Sequence, residues 1–135
     1  MNGQDWVERL ADRHVGAVSE SAREAWQILF EDVFVQVPRT LGILPGYRPK
    51  LGDNYNKRTS NEYDNATLLR VWELLLEVPS CDRDAFEIDV IMTGRQLLGN
   101  YFLGVKKEFD GFYKKRNVPG LKEKASEMRE ILSDL

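Results

Sequence analysis

The stretch RDAFEIDVIMTGRQLLGNYFLGVKKEFDGFYKK, residues 83–115, decides the fold. Its apolar positions Phe86, Val90, Leu97, Tyr101, Val105, Phe109 and Phe112 recur at intervals of three, four or seven. That is the repeat of one helix face, not the alternation of a strand. A helix from about Arg83 to Lys115 is predicted, the longest element of the chain. Within it, Gly94, Gly99, Gly104 and Gly111 each cost about 1 kcal/mol relative to Ala. Four such residues point to close helix approach or a kink. Gly94, Gly99 and Gly104 step by five residues, so they do not line one narrow seam.

Working outward, helical periodicity holds nearly everywhere. Leu68, Leu69, Trp72, Leu75 and Leu76 put one face on a helix that starts near Asp64 or Asn65 and that Pro79 ends. Upstream, Ser21-Ala22-Arg23-Glu24 reads as a capping box. Behind it, Ala25, Trp26, Leu29, Phe30 and Val33 form a stripe that closes before Pro38. A first short helix carries Trp6, Leu10 and Val15, with Asp5 as its expected cap and Gly16 as its stop. Downstream, Pro119 suits a first turn, and Leu121, Ala125, Met128, Ile131 and Leu132 make a fifth stripe. Residues 38–63, broken by Pro38, Gly42, Pro45, Gly46, Pro49 and Gly52, read as a loop far longer than the usual median of about 4–6 residues. The fold class is therefore all-α: about five helices with one long central helix, in a bundle with a long loop at 38–63. Trp26 and Trp72 are expected to be largely buried near the long helix. The fifth helix runs to Leu135 without a stop signal, so its apolar stripe is expected to await a partner surface.

Composition bounds the function. A chain of 135 residues with 42% hydrophobic and 30% charged residues suits one globular domain, 1–135. Eight basic residues face ten acidic ones in 1–67, and eleven face twelve in 68–135. Neither half has the basic excess of a general nucleic-acid binder. The longest uncharged run, Gln96 to Val105, is ten residues, against the roughly 20 of a membrane span. The opening Met-Asn-Gly-Gln-Asp-Trp has no basic or apolar leader pattern, so no signal peptide is expected. One cysteine, Cys81, forms no internal disulfide and leaves the redox compartment unread.

Candidate chemistry is sparse. Glu73 and Glu77 lie at i, i+4, roughly 5–6 Å apart at Cβ, inside the spacing of a glycosidase pair. Any i, i+4 pair meets that criterion, and a solvated face explains it. Asp82, Asp84, Glu87 and Asp89 favour the dipole at a helix start. Acidic neighbours oppose thiolate formation at Cys81, and His14 has no second imidazole or thiol cluster with which to hold a metal. Lys114, Lys115 and Arg116 complement a helix C-terminus, with Lys122 and Lys124 nearby. Tyr47, Arg48, Tyr55, Lys57 and Arg58 form the one aromatic-basic grouping in which a glycan or nucleic-acid groove is conceivable. Asn65-Ala66-Thr67 matches a glycosylation sequon, and Asn65 serves equally as a cap. No catalytic, cofactor-binding or metal residue is assigned, and no cofactor is expected.

The helical stripes carry a resemblance. Trp6-Val7, Ala11, Arg13 through Gly16, Ala25-Trp26-Gln27-Ile28-Leu29 and Val33-Phe34 resemble the start of the all-α C-terminal domain of α-N-acetylglucosaminidases, the family 89 glycoside hydrolases. Arg48-Pro49, Val71-Trp72-Glu73-Leu74-Leu75-Leu76, Ile88-Asp89-Val90 and Arg95-Gln96-Leu97 are similar to later segments of that domain, in the same order. His14-Val15-Gly16 stands where the family has Arg-Tyr-Gly, Val71 where it has Ala, and Phe34 where it has Tyr. The resemblance implies a parent enzyme with a small α/β domain, a barrel holding two catalytic glutamates, and this helical domain against the barrel. The implied reaction is retaining hydrolysis of terminal α-linked N-acetylglucosamine, with both glutamates outside this chain. The family's Leu-Thr-Leu-Trp-Gly segment, which contributes an aromatic to the sugar pocket, is also absent, so the chain is expected to be roughly the first half of the helical domain. The implied partners are the catalytic barrel and, through it, a glycan, with no nucleic acid and no membrane span. The implied location is extracytoplasmic. The competing readings are a free-standing all-α interaction module, with Trp6, Trp26 and Trp72 in its core, and a small hydrolase using the acidic start of the long helix.

Overall fold

A computed structural model describes residues 2–34, 63–79 and 81–135. All its regular elements are helical: α1 (Gly3–Val15), α2 (Glu20–Ile28, continued by a wider π-helical turn at Leu29–Val33), α3 (Asn65–Leu76), α4 (Asp84–Lys114) and α5 (Val118–Asp134). No strand occurs among the described residues. The predicted 38–63 loop lies almost wholly outside them.

The caps explain where the helices begin. Asn2, not Asp5, caps α1: its side chain accepts from Asp5 N at 2.9 Å. Ser19, not Ser21, caps α2, accepting from Ala22 N at 3.4 Å, while the two serine hydroxyls lie 3.2 Å apart. The helix thus starts two residues before the capping-box reading, and Ser21 falls inside its first turn. Asp64 caps α3 through Ala66 N, and Asn117 caps α5 just before Pro119. Gly16 stops α1 as expected. Its φ of 80° lies in the left-handed region, and its N–H returns to Asp12 O, a conformation that costs an L side chain about 1 kcal/mol or more.

The chain divides into two compact units. In the first, α2 packs on both α1 and α3, around Ala11, Ala22, Ala25, Leu29, Leu68 and Leu75. Small residues at 11, 22 and 25, each no more than 1% exposed, let these helices approach closely. The buried face of α3 is Leu68, Val71, Leu74 and Leu75, rotated from the stripe read in the sequence. Leu69 and Leu76 are exposed. This segment is apolar on several faces, so periodicity alone does not choose among them. Trp26 and Trp72 are half-buried rather than fully enclosed, and Trp6 is 52% exposed. Trp72 still meets α4: its Nε1 donates to Val90 O at 3.2 Å. A Cβ at position 94 would come within 3.0 Å of that nitrogen, so Gly94 is where the indole lies against the long helix.

In the second unit Ile131 of α5 packs with Phe102 and Val105, flanked by Leu98, Met128 and Leu135. The expectation that the whole α5 stripe awaits a partner is corrected. Ile131 is buried within its own unit, and Leu132, at 53% exposure, is the stripe residue that faces out. Gly104 has no atom within 4 Å of where a Cβ would stand, so no close approach explains it. Gly104→Ala is therefore expected to raise stability by about 0.4–1 kcal/mol, since it restricts the unfolded chain without strain. A urea titration in which the midpoint rises at constant slope checks this.

Candidate functional site

The most elaborate polar arrangement of the first unit ties α1 to α4. His14, in the last turn of α1, and Asp89, in the second turn of α4, meet Nδ1 to Oδ2 at 2.6 Å. Their side chains keep only 25% and 12% exposure. The Trp26 ring stands edge-on to the imidazole at 5.2 Å, and its indole N–H donates to the same carboxylate. Next to His14 in the chain, Val15 O accepts from the Cys81 thiol at 2.9 Å. Burial pushes the Asp89 carboxyl above the ordinary carboxylate range, against the opposing pull of His14 and Trp26.

That direction fixes a sign. Between the unfolded value, about 3.9, and its raised folded value, Asp89 holds a proton that the unfolded chain has released. Stability from this group therefore falls as pH rises through that interval. In Asp89→Asn this component of the slope is expected to vanish. Urea midpoints collected from acid to neutral pH for both proteins, with an unchanged slope in the variant, would refute the assignment.

A second tie joins α1 to α2. Arg23 forks onto Asp12 with Nε to Oδ1 at 2.9 Å and Nη2 to Oδ2 at 2.7 Å, and reaches Glu8 at 3.6 Å. The guanidinium holds the Asp12 carboxyl below its usual value. At the next residue of α2, Glu24 meets Arg70 of α3 at 3.5 Å, and Arg70 also reaches Glu77 at 3.9 Å. In the second unit Lys106 and Asp110 of α4 form a buried pair at 2.5 and 2.6 Å. Lys124 of α5 sits between Glu108, at 2.7 Å, and Glu127, at 2.9 Å, and Tyr101 Oη donates to Glu127.

The residues weighed in the sequence fall as follows. Glu77 belongs to the Arg70 bridge, and Glu73 is exposed beside it. Asp82, Asp84 and Glu87 are exposed, while Asp89 alone of that cluster turns inward. Asn65 donates its amide to Leu97 O at 3.4 Å. Lys115, Arg116 and Lys122 are exposed, whereas Lys124 is held by its two glutamates. Tyr47, Arg48, Tyr55, Lys57 and Arg58 lie outside the described residues. Among the described residues, no group of three or more His, Cys, Asp or Glu side chains could hold a metal, and no helix is long and apolar enough to cross a membrane.

Sequence reading missed the His14–Asp89 tie because 75 residues separate its partners. The Lys106–Asp110 pair carried a legible signal, opposite charges at i, i+4, but its burial did not. Two concavities lie among the described residues of the first unit. One of about 340 Å³ lies between the turn after α1 and the approach to α4, with Val15, Ser19, Cys81 and Arg83 in its wall. The other, about 270 Å³, is lined mainly by apolar side chains, Leu75, Leu76, Phe86, Val90 and Ile91 among them, with Glu87 and Cys81 in its wall.

Compared with known proteins, residues 6–135 match the family model described as the alpha-N-acetylglucosaminidase C-terminal domain. No curated protein matches the chain.

Proposed function

The chain belongs to the alpha-N-acetylglucosaminidase C-terminal domain family, and from that premise we propose that it is a non-catalytic part of a glycoside hydrolase that removes terminal α-linked N-acetylglucosamine. Its role is to support the catalytic barrel, its partner in the same polypeptide, and to shape the cleft into which the glycan enters. The observation that carries this reading is the family match over nearly the whole chain. The acidic residues support it. Retaining hydrolysis needs two carboxyl groups roughly 5–5.5 Å apart with opposed protonation roles. The carboxylates of these helices instead tie helix to helix, as with Asp12, Glu24 and Asp89, pair within one helix, as with Glu77 and Asp110, or are exposed, as with Glu73, Asp84 and Glu87.

The purified 135-residue chain is therefore expected to release no chromophore from a chromogenic α-N-acetylglucosaminide. Turnover that Glu73→Gln or Asp84→Asn abolished would replace this reading with a self-contained enzyme.

A further inference from the structure

The first half of α4 has two unlike faces. Phe86, Asp89, Val90, Thr93 and Leu97 turn toward the first unit and are buried or half-buried. Asp84, Glu87, Ile88, Ile91, Met92 and Arg95 are all exposed. Their spacing of i, i+3, i+4, i+7, i+8, i+11 makes them one stripe of a 3.6-residue repeat, and on an outward-facing stripe polar residues are the rule. Here the centre is apolar instead: Ile88, Ile91 and Met92 are each more than half exposed. Leu76 of α3, also more than half exposed, shares with Glu87 and Ile91 the wall of the smaller concavity. Exposed apolar groups gathered in this way mark an interaction surface. The charges of the stripe are sorted along the helix, with Asp84 and Glu87 at its N-terminal end and Arg95 at its C-terminal end. None of the three has an ion pair among the described residues.

We propose that this face of α4 is an interface between two copies of the chain, packed antiparallel about a two-fold axis that passes midway between Ile88 and Ile91. The order of residues along the stripe argues for a second copy as the occupant. Ile88 and Ile91 lie equally far to either side of that axis, and so do Asp84 and Arg95. An isologous interface makes each contact twice. Ile88 therefore meets the partner's Ile91 and the reverse, and outside both layers Asp84 meets the partner's Arg95. Glu87 and Met92 are likewise equidistant from the axis, which brings the partner's Met92 to the concavity whose wall holds Glu87 and Ile91. An unbranched, adaptable side chain suits such a hollow. A parallel pairing would instead set Asp84 against Asp84 and Arg95 against Arg95, like charges in register. A face made for an unrelated surface has no reason to be complementary to itself. The seam from Asp84 to Arg95 is about 17 Å long, at the small end of specific interfaces, so the dimer is expected to be weak and concentration-dependent. Its two ion pairs set direction and register more than affinity. Association of this kind is independent of the activity proposed above.

Sedimentation equilibrium of the 135-residue chain, from micromolar to submillimolar concentration, tests this. The mean mass is expected to rise from 15.6 kDa toward twice that value. Ile91→Asp, at an exposed position, should melt normally and keep the monomer mass throughout. Asp84→Arg sets a cation against the partner's Arg95, and Arg95→Asp sets a carboxylate against the partner's Asp84. Each variant alone should associate several-fold more weakly than the unmodified chain. The double exchange Asp84→Arg, Arg95→Asp should bring association back, because every facing pair is again of opposite charge. An unmodified chain that stays monomeric at every concentration would overturn the proposal. A dimer that survives Ile91→Asp would overturn the choice of face. Single charge variants that associate as well as the unmodified chain, or a double exchange without recovery, would overturn the antiparallel pairing.

Discussion

Asp110→Ala is expected to destabilise the protein by about 3–5 kcal/mol, the loss seen when one member of a buried ion pair is removed. The reason lies in where the pair sits. Lys106 and Asp110 side chains keep 6% and 3% exposure, so the substitution removes a charge-assisted contact from which water is largely excluded. Among the described residues, Phe102, Val105 and Ile131 form the buried apolar cluster of the same unit. Asp110→Asn keeps an acceptor for the ammonium and should lose less. Salt provides an independent check. A buried pair is poorly screened, so the deficit of Asp110→Ala should persist at high ionic strength. The exposed Arg70–Glu24 pair, by contrast, is worth well under 1 kcal/mol at any salt. A loss below 1 kcal/mol for Asp110→Ala would show that the pair is solvated.

Leu75→Ala should cost about 2–5 kcal/mol. Leu75 is 1% exposed and lies with Leu68, Val71 and Leu74 on the face of α3 that closes the first core. The core it belongs to takes Ala11, Ala22 and Ala25 from α1 and α2, side chains too short to fill the void. Leu76→Ala is the matched control: one residue away, at 54% exposure, it should change stability by only a few tenths of a kcal/mol. Urea midpoints for the two variants test the rotation of the α3 face directly. Equal losses would restore the stripe read from periodicity, with Leu76 inside.

The gap between those two leucines shows how far periodicity reaches. In α4, apolar intervals of three, four and seven sufficed to place a helix within a residue of its observed bounds, because no other local structure buries such a pattern. In α3 the run Val71-Trp72-Glu73-Leu74-Leu75-Leu76 offers apolar groups on more than one face, and the choice falls to whatever α2 presents. The candidate ties divide in the same way. Asp12 to Arg23 and Lys106 to Asp110 lie close in the chain. His14 to Asp89 spans 75 positions, a separation at which one sequence carries no pairing signal.

What the sequence determined by itself was local: the helical class, the stops at Gly16 and Pro79, a helix start near Asp64 or Asn65, Pro119 in the first turn of α5, and the family that its ordered stripes resemble. These follow from backbone sterics, hydrogen-bond accounting at helix ends and the 3.6-residue repeat, all of which act within a few residues. Only the tertiary structure decided which apolar face turned inward, that Gly94 made room for Trp72, and that Ile131 was covered within its own unit. It also decided which charges were spent holding helices together and which, on α4, were left facing outward. Those outcomes depend on burial and pairing between distant segments, whose energies exist only once the helices have met.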